Sequence, residues 1–416
     1  MSLETTTGDI SRARMLLYSA GSVGTGAFYA FNNFVLPPVL KSFGAPDLLI
    51  GFLSSTRSPE GALIQPTVGA LSDRTWTRLG RRRPFILVAI PLSALFFLAA
   101  GSASSLVQLA VLIFLFSIFF NTAVDPYAAL LPDIAPLHQR GLLSGLATAT
   151  QLISSVALLL LVASGSGNGA VPAWTYDVVA AILVVSFGIT VLGVRERRER
   201  TEPAPTVERV PWRDSVKVIL VHRQAVRYLA TLFVYQFGLN AILPYLVLFI
   251  TDEIHESQQT GLILSATLLL VMAISAVVFG RLADRIGTRL VLALGWALLA
   301  ASAVAGVLIT TLPQTVAVVL LAGVGNGAAT AANWPLLTAL IPPEKTGVFA
   351  GLKAAAESIA IPLSVVVAAE LFLPRFGYRG IFAMLAINIV LALVLLLRFV
   401  RVPPAAEPLT AEPLAV

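Results

Sequence analysis

The chain has 416 residues and no cysteine; 57% of it is hydrophobic, 12% is charged, and the mean hydropathy is +0.86. Soluble domains carry about 45–50% apolar and roughly 25% charged residues. A water-soluble enzyme and a disordered chain are therefore excluded, and the absence of cysteine removes disulfide scaffolds and zinc–thiolate sites. The formal charge is +6, from 28 basic and 22 acidic residues.

In chain order, twelve apolar blocks read as membrane spans, each near the ~20 residues a spanning helix needs. They cover about 15–40, 47–72, 83–102, 105–133, 139–164 and 172–194, then 226–251, 258–282, 289–311, 314–341, 346–372 and 379–400. Barrel strands would alternate polar and apolar residues, and these blocks do not. The first run, behind Arg12 and Arg14, is too long for a signal-peptide core and is expected to stay as span 1. Placing the N-terminus in the cytoplasm puts 23 of the 28 basic residues on that side. Only Lys41, Arg375 and Arg379 then lie outside, so the positive-inside rule predicts cytoplasmic N- and C-termini for a multi-pass protein of the cell membrane.

The chain repeats itself. Residues 69–74 read GALSDR and 280–285 read GRLADR; 141–145 read GLLSG and 347–351 read GVFAG. The expected fold is all-α: two six-helix bundles, 1–194 and 226–402, related by a pseudo-twofold axis along the membrane normal. A basic cytoplasmic linker, 195–225, joins them, and a Pro/Ala/Glu-rich tail, 403–416, is expected to be disordered. The two Gly-x-x-x-Gly motifs are expected to let spans 5 and 11 pack closely.

The Gly-x-x-x-Asp-Arg loop between spans 2 and 3, repeated as Gly280 to Arg285 between spans 8 and 9, resembles the signature of the major facilitator superfamily. The first copy is stretched, through Arg78, Gly80, Arg81, Arg82 and Arg83 to Pro84. With Gln65-Pro66 upstream and Pro126 to Asp133 in span 4, it resembles the proton–sucrose symporters and, more loosely, the glycoside–pentoside–hexuronide:cation symporters. The resemblance implies alternating access around a central cavity lined by spans 1, 4, 7 and 10. Melibiose-type carriers bind sodium with two span 2 aspartates; Gly61 and Gln65 stand there, so sodium coupling of that kind is not expected. In the signature loops Asp73, Arg74, Arg81, Arg140, Asp284 and Arg285 are expected to gate, with Arg140 the candidate partner of Asp73. An arginine fork bridges a carboxylate and a helix C-terminal carbonyl in one state and releases them in the other.

Ionisable residues within a membrane read as functional. Arg57 and Glu60 of span 2 are i,i+3; Lys353 and Glu357 of span 11 are i,i+4; each couple can neutralise itself. Asp125 of span 4 is left over, which makes it the first candidate to carry a coupling proton, with Glu60 second if Arg57 turns to Asp125. Uncharged polar groups cluster near mid-depth: Asn32, Asn33, Gln65, Gln151, Gln236, Asn240, Asn326 and Asn333, with Tyr235 close by. Amides match hydroxyl groups as donors and acceptors; Tyr127 and Trp334 offer faces on which a sugar ring can stack. With Glu357, these are the expected substrate contacts.

These features predict a monomeric secondary carrier that moves a small polar solute, a sugar or glycoside, together with H+. Its setting is the lipid bilayer; no cofactor, metal, nucleic acid or enzymatic chemistry is expected. The alternatives are an exporter of amphiphilic compounds and a non-transporting assembly or sensor protein on the same fold.

Overall fold

The computed structural model describes residues 9–55, 64, 67–69, 71–72, 75–166, 171–196, 222–342 and 346–401. Arg57, Glu60, Gln65, Asp73 and Arg74 lie outside the described residues, as do 197–221 of the linker and the 403–416 tail. Among the described residues the chain is helical, with one isolated bridge between Thr77 and Gly80.

Nine described helices are long and apolar enough to cross a membrane. One of them, Val348–Phe399, carries both span 11 and span 12, joined across Gly377 at φ 61°. Glycine suits that left-handed corner because it has no Cβ. Span 1 runs as Arg12–Ala30, Phe31–Val35 and Leu36–Ser42. Its Ser, Gly and Thr content keeps its hydropathy below that of the others. Span 2 begins as Asp47–Leu53. The order is that of twelve spans, and span 7 starts at Arg223, just ahead of the expected boundary.

The repeat is visible in the packing. Span 1 packs on spans 5 and 6, and span 3 on spans 4 and 6; six spans later, span 7 packs on 11 and 12, and span 9 on 10 and 12. A single arginine contact recurs as well. Arg83 Nε donates to Val191 O (2.6 Å) and Arg289 Nη2 to Leu397 O (2.8 Å), and the two contacts bridge the same separation in sequence. The halves meet where span 5 touches span 8, span 2 touches span 11, and the broken middles of spans 1 and 7 touch each other.

Those breaks have a local cause. Proline lacks the N–H that continues a helix. Pro37 and Pro38 follow the π-helical turn Phe31–Val35, and Pro244 sits in the 3-10 turn Leu243–Tyr245. The loosened backbone of span 1 carries Asn32 and Asn33. Close contact of spans 1 and 5 needs Gly26: a Cβ there would run into the carbonyl oxygen of Gln151. The expected packing at Gly141, Gly145 and Gly351 is not found, since a Cβ at any of them meets nothing within 4 Å. The first turns of spans 5 and 11 stand clear of other helices at these glycines in this conformation.

Candidate functional site

A cavity of about 930 Å³ lies between the halves. The N-terminal half supplies Tyr29, Asn33, Asp125, Gln151 and Ser155; the C-terminal half supplies Asn326 and Ser358 among Leu243, Leu268, Leu269, Met272 and Ile359. One wall is thus hydrogen-bonding and the other mainly apolar. A smaller annex of about 240 Å³ shares Tyr29, Val124 and Gln151 with it. Ser22, Thr25, Ser144 and Thr148 line the annex, which extends towards the start of span 5.

Asn33 is 8% exposed and its Oδ1 has no hydrogen-bond partner among the described residues. An unsatisfied buried acceptor costs about 1–3 kcal/mol; this oxygen has almost no accessible surface, so the residue lines the cavity with the oxygen itself covered. Asp125 is on the same wall and takes part in a polar or electrostatic interaction. It is therefore not the leftover acid that a count of charges makes it: a carboxylate at membrane depth recruits a partner.

Several expected contacts lie behind the wall, because a buried amide or phenol in a bundle finds another helix first. Asn32 donates to Ser55 O at 3.2 Å. Tyr127 stacks on Tyr18 (4.9 Å, 13°) and donates to Tyr18 O, while its Oη lies 2.7 Å from Ser22 Oγ; it lines only the annex. Tyr235 stacks on Trp296 and donates to Asn326 Oδ1 at 3.0 Å, so it orients an amide that does reach the cavity. Asn333 accepts from the Tyr228 hydroxyl. Trp334 is 41% exposed and is not part of the cavity wall; its helical position turns it outwards.

Glu357 is also displaced from its expected role. Its Oε1 receives Lys353 Nζ at 2.5 Å and Gln236 Nε2 at 2.9 Å, and it is 6% exposed. The i,i+4 couple forms as the spacing requires, and Gln236 is in turn braced by Asn240, whose Nδ2 donates to Gln236 O. This network ties span 11 to span 7 next to the cavity-lining Ser358.

At the arginine-rich end, Arg81 Nη2 and Arg82 Nε both reach Asp133, at 2.7 and 3.4 Å. Arg140 donates to the carbonyls of Ala135 and Pro132 at the end of span 4. Glu196 accepts from the backbone N–H groups of Arg81, Arg82 and Arg83 at 2.5, 2.9 and 3.1 Å. Asp284 and Arg285 are exposed. Asp133 and Glu196 are absent from the expected set; Asp133 stood within the span 4 motif, whereas nothing in the spacing marks Glu196.

The opposite end holds a set that sequence reasoning missed. Lys41 pairs with Asp252 and also donates to the Tyr378 hydroxyl at 2.9 Å; Tyr245 donates to Asp47 O at 2.8 Å. Each of these contacts joins one half to the other. A Cβ on Gly51 would lie 2.5 Å from the Tyr245 hydroxyl oxygen, so the helices close tightly there. The sequence does not disclose this pairing, because the partners of Lys41 belong to the other half of the chain.

The family described as MFS/sugar transport protein matches residues 17–403. The human protein named proton-associated sugar transporter A is 47% identical over 60 residues, 14% of this chain and 8% of that protein. The rice (Oryza sativa subsp. japonica) sucrose transport protein SUT1 is 30% identical over 101 residues, 24% of this chain and 19% of that protein. The aligned part thus spans less than a fifth of these curated relatives. Among solved structures, a mutant of the nucleoside transporter NupG has a TM-score of 0.72 at 10% identity, covering 93% of this chain and 99% of that one. A D-xylose–proton symporter has a TM-score of 0.71 at 14% identity, covering 94% and 98%. The fold they share is that of two six-helix bundles.

Proposed function

Since the chain belongs to the MFS/sugar transport protein family, we propose that it carries a sugar or glycoside across the cell membrane, driven by a proton gradient. The observation that supports this most is the shared wall of Asn33, Asp125 and Gln151. Amides to bind hydroxyl groups and a carboxylate to take a proton face one cavity at the junction of the halves. The relatives whose names include sugar or sucrose transport point to the same substrate class.

The halves 1–194 and 226–402 move as two bodies joined by the 195–225 segment, and the arginine-rich end faces the cytoplasm, as the positive-inside rule requires. In this conformation the outer end is shut by Lys41, Asp252 and Tyr378, and the cavity with its annex leads inwards. Asp284, Arg285 and the open glycines of spans 5 and 11 come together when the inner end closes. Protonation of Asp125 together with substrate binding allows the switch; the Gln236–Glu357 hydrogen bond, with Lys353 on the same carboxylate, keeps span 11 fixed to span 7 as one piece during it.

The test is uptake by the purified protein in liposomes, with and without an imposed inward proton gradient. Labelled sucrose, glucosides and monosaccharides are the substrates. Accumulation above equilibrium that a protonophore abolishes is the expected result; uptake that ignores the gradient refutes proton coupling. A second reading, export of amphiphilic compounds, is favoured by the Leu243, Leu268, Leu269, Met272 and Ile359 wall. Stabilisation by hydrophobic amines with no response to any sugar would select it.

A further inference from the structure

One cavity at the arginine-rich end is unrelated to transport through the centre. Between the first turns of span 7 and the last turn of span 12, an open hollow of about 390 Å³ is lined by Gln224, Arg227, Arg398, Phe399 and Arg401. Arg227 Nη1 donates to Phe399 O at 3.4 Å and the Arg401 backbone N–H to Gln224 Oε1 at 2.9 Å, which fixes the two walls together. Among the described residues, the three guanidinium groups share this hollow without a carboxylate on its wall.

The internal repeat shows what is unusual here. In the N-terminal half, Glu196 follows span 6 and fills the backbone N–H groups of Arg81 to Arg83. The recurring arginine contact puts the two halves in register, Arg83 on Arg289 and Val191 on Leu397. In that register the counterpart of Glu196 is Val402, so the C-terminal half has no acid of its own at this place in the sequence. Arg398 stands at the counterpart of Leu192, which is 78% exposed. Arg12 opens span 1 as Arg223 opens span 7, and Arg227 then stands at the counterpart of Leu16, which is 62% exposed. Exposed leucines on spanning helices face lipid. The second half thus carries two arginines where the first has exposed leucines, and among the described residues no carboxylate lines their hollow.

We propose that this cavity binds the phosphate of an anionic phospholipid headgroup. Guanidinium groups hold phosphate oxygens in a bidentate fork, and basic pockets between spanning helices on the cytoplasmic side suit such headgroups. The exposed Val390, Val394 and Leu397 lead from the arginines along one face of span 12. They give acyl chains an apolar track that a soluble phosphate would not use.

The experiment is lipid retention on the full chain, read by native mass spectrometry after mixing with phosphatidylglycerol or phosphatidylcholine. Wild type should retain phosphatidylglycerol at least tenfold over phosphatidylcholine, and R227Q/R398Q should lose that preference. R12Q/R14Q, which removes the same charge from the other half, should keep it. Preference that survives in R227Q/R398Q, or is lost equally in R12Q/R14Q, overturns the assignment. On wild type alone, glycerol phosphate and inorganic phosphate at millimolar concentration should leave the lipid in place; displacement by either overturns the lipid source even if the variant fails to fold.

Discussion

Lys41 and Asp252 form an ion pair between the two halves, at the end of the molecule away from the arginine-rich loops. Their side chains are 41% and 34% exposed. Pairs of that exposure contribute at most about 1 kcal/mol. In the proposed alternating-access cycle, a contact of that strength would bias the equilibrium without locking it. Lys41→Met should shift the population towards the outward-open state by up to about fivefold, since about 1.4 kcal/mol is a factor of ten. The native chain has no cysteine, so a single cysteine placed at Ser55 reports the change as faster labelling from the Lys41 side. The charge-reversed pair K41D/D252K should return the labelling rate towards that of the parent, and unchanged labelling in Lys41→Met would remove the pair from the gate.

Asp125→Asn should abolish uphill accumulation while substrate exchange across the liposome continues. The variant keeps a polar side chain in the wall but cannot release a proton. Normal accumulation in this variant transfers coupling to another acid.

Asn33→Leu should weaken substrate binding, because it replaces an amide of the cavity wall with an apolar side chain. It should leave thermal stability in the absence of substrate unchanged or slightly higher, because the unpaired Oδ1 is gone. Ligand-induced stabilisation in a thermal-shift titration reads both quantities.

Lys353→Met strands Glu357 beside Gln236 with its cationic partner removed. Breaking a buried pair from one side costs about 3–5 kcal/mol, so the melting temperature should fall sharply. K353M/E357L should regain most of it, because neither charge then remains. Equal loss in the single and double variants would mean that the pair contributes packing alone.

Gly26→Ala should lower both stability, by about 1–3 kcal/mol as overpacking does, and substrate affinity. The added methyl meets Gln151 O, and span 5 must shift to admit it. Gly145→Ala, where the added Cβ meets nothing in this conformation, is the control. It should retain inward-open stability and slow the closure of the inner end in labelling experiments.

Much of the fold is legible in the residues because membranes impose two local rules. Backbone groups must be satisfied within each span, and arginine collects on one side. The Asp-Arg loops at 69–74 and 280–285 disclose the repeat. The amides were harder to place. Asn33 and Asn32 are neighbours in sequence, yet Asn33 lines the cavity and Asn32 bonds Ser55 across to span 2. Which of the two meets the cavity depends on how span 1 is rotated against its neighbours, and the sequence does not report that rotation. Residue type alone makes Trp334 and Tyr127 stacking faces, yet neither lines the main cavity.

By itself the sequence determined the order of spans, the duplicated architecture, the sign of each end, and the i,i+4 couple of Lys353 with Glu357. Each of these depends on spacing along the chain or on composition. Only the tertiary structure decided which polar groups meet the cavity, that Asp133 and Glu196 hold the arginine loop, and that Lys41 closes on Asp252 and Tyr378. Those outcomes depend on how helices far apart in the chain rotate and approach one another, and an apolar solvent gives every buried amide and charge several partners to choose among.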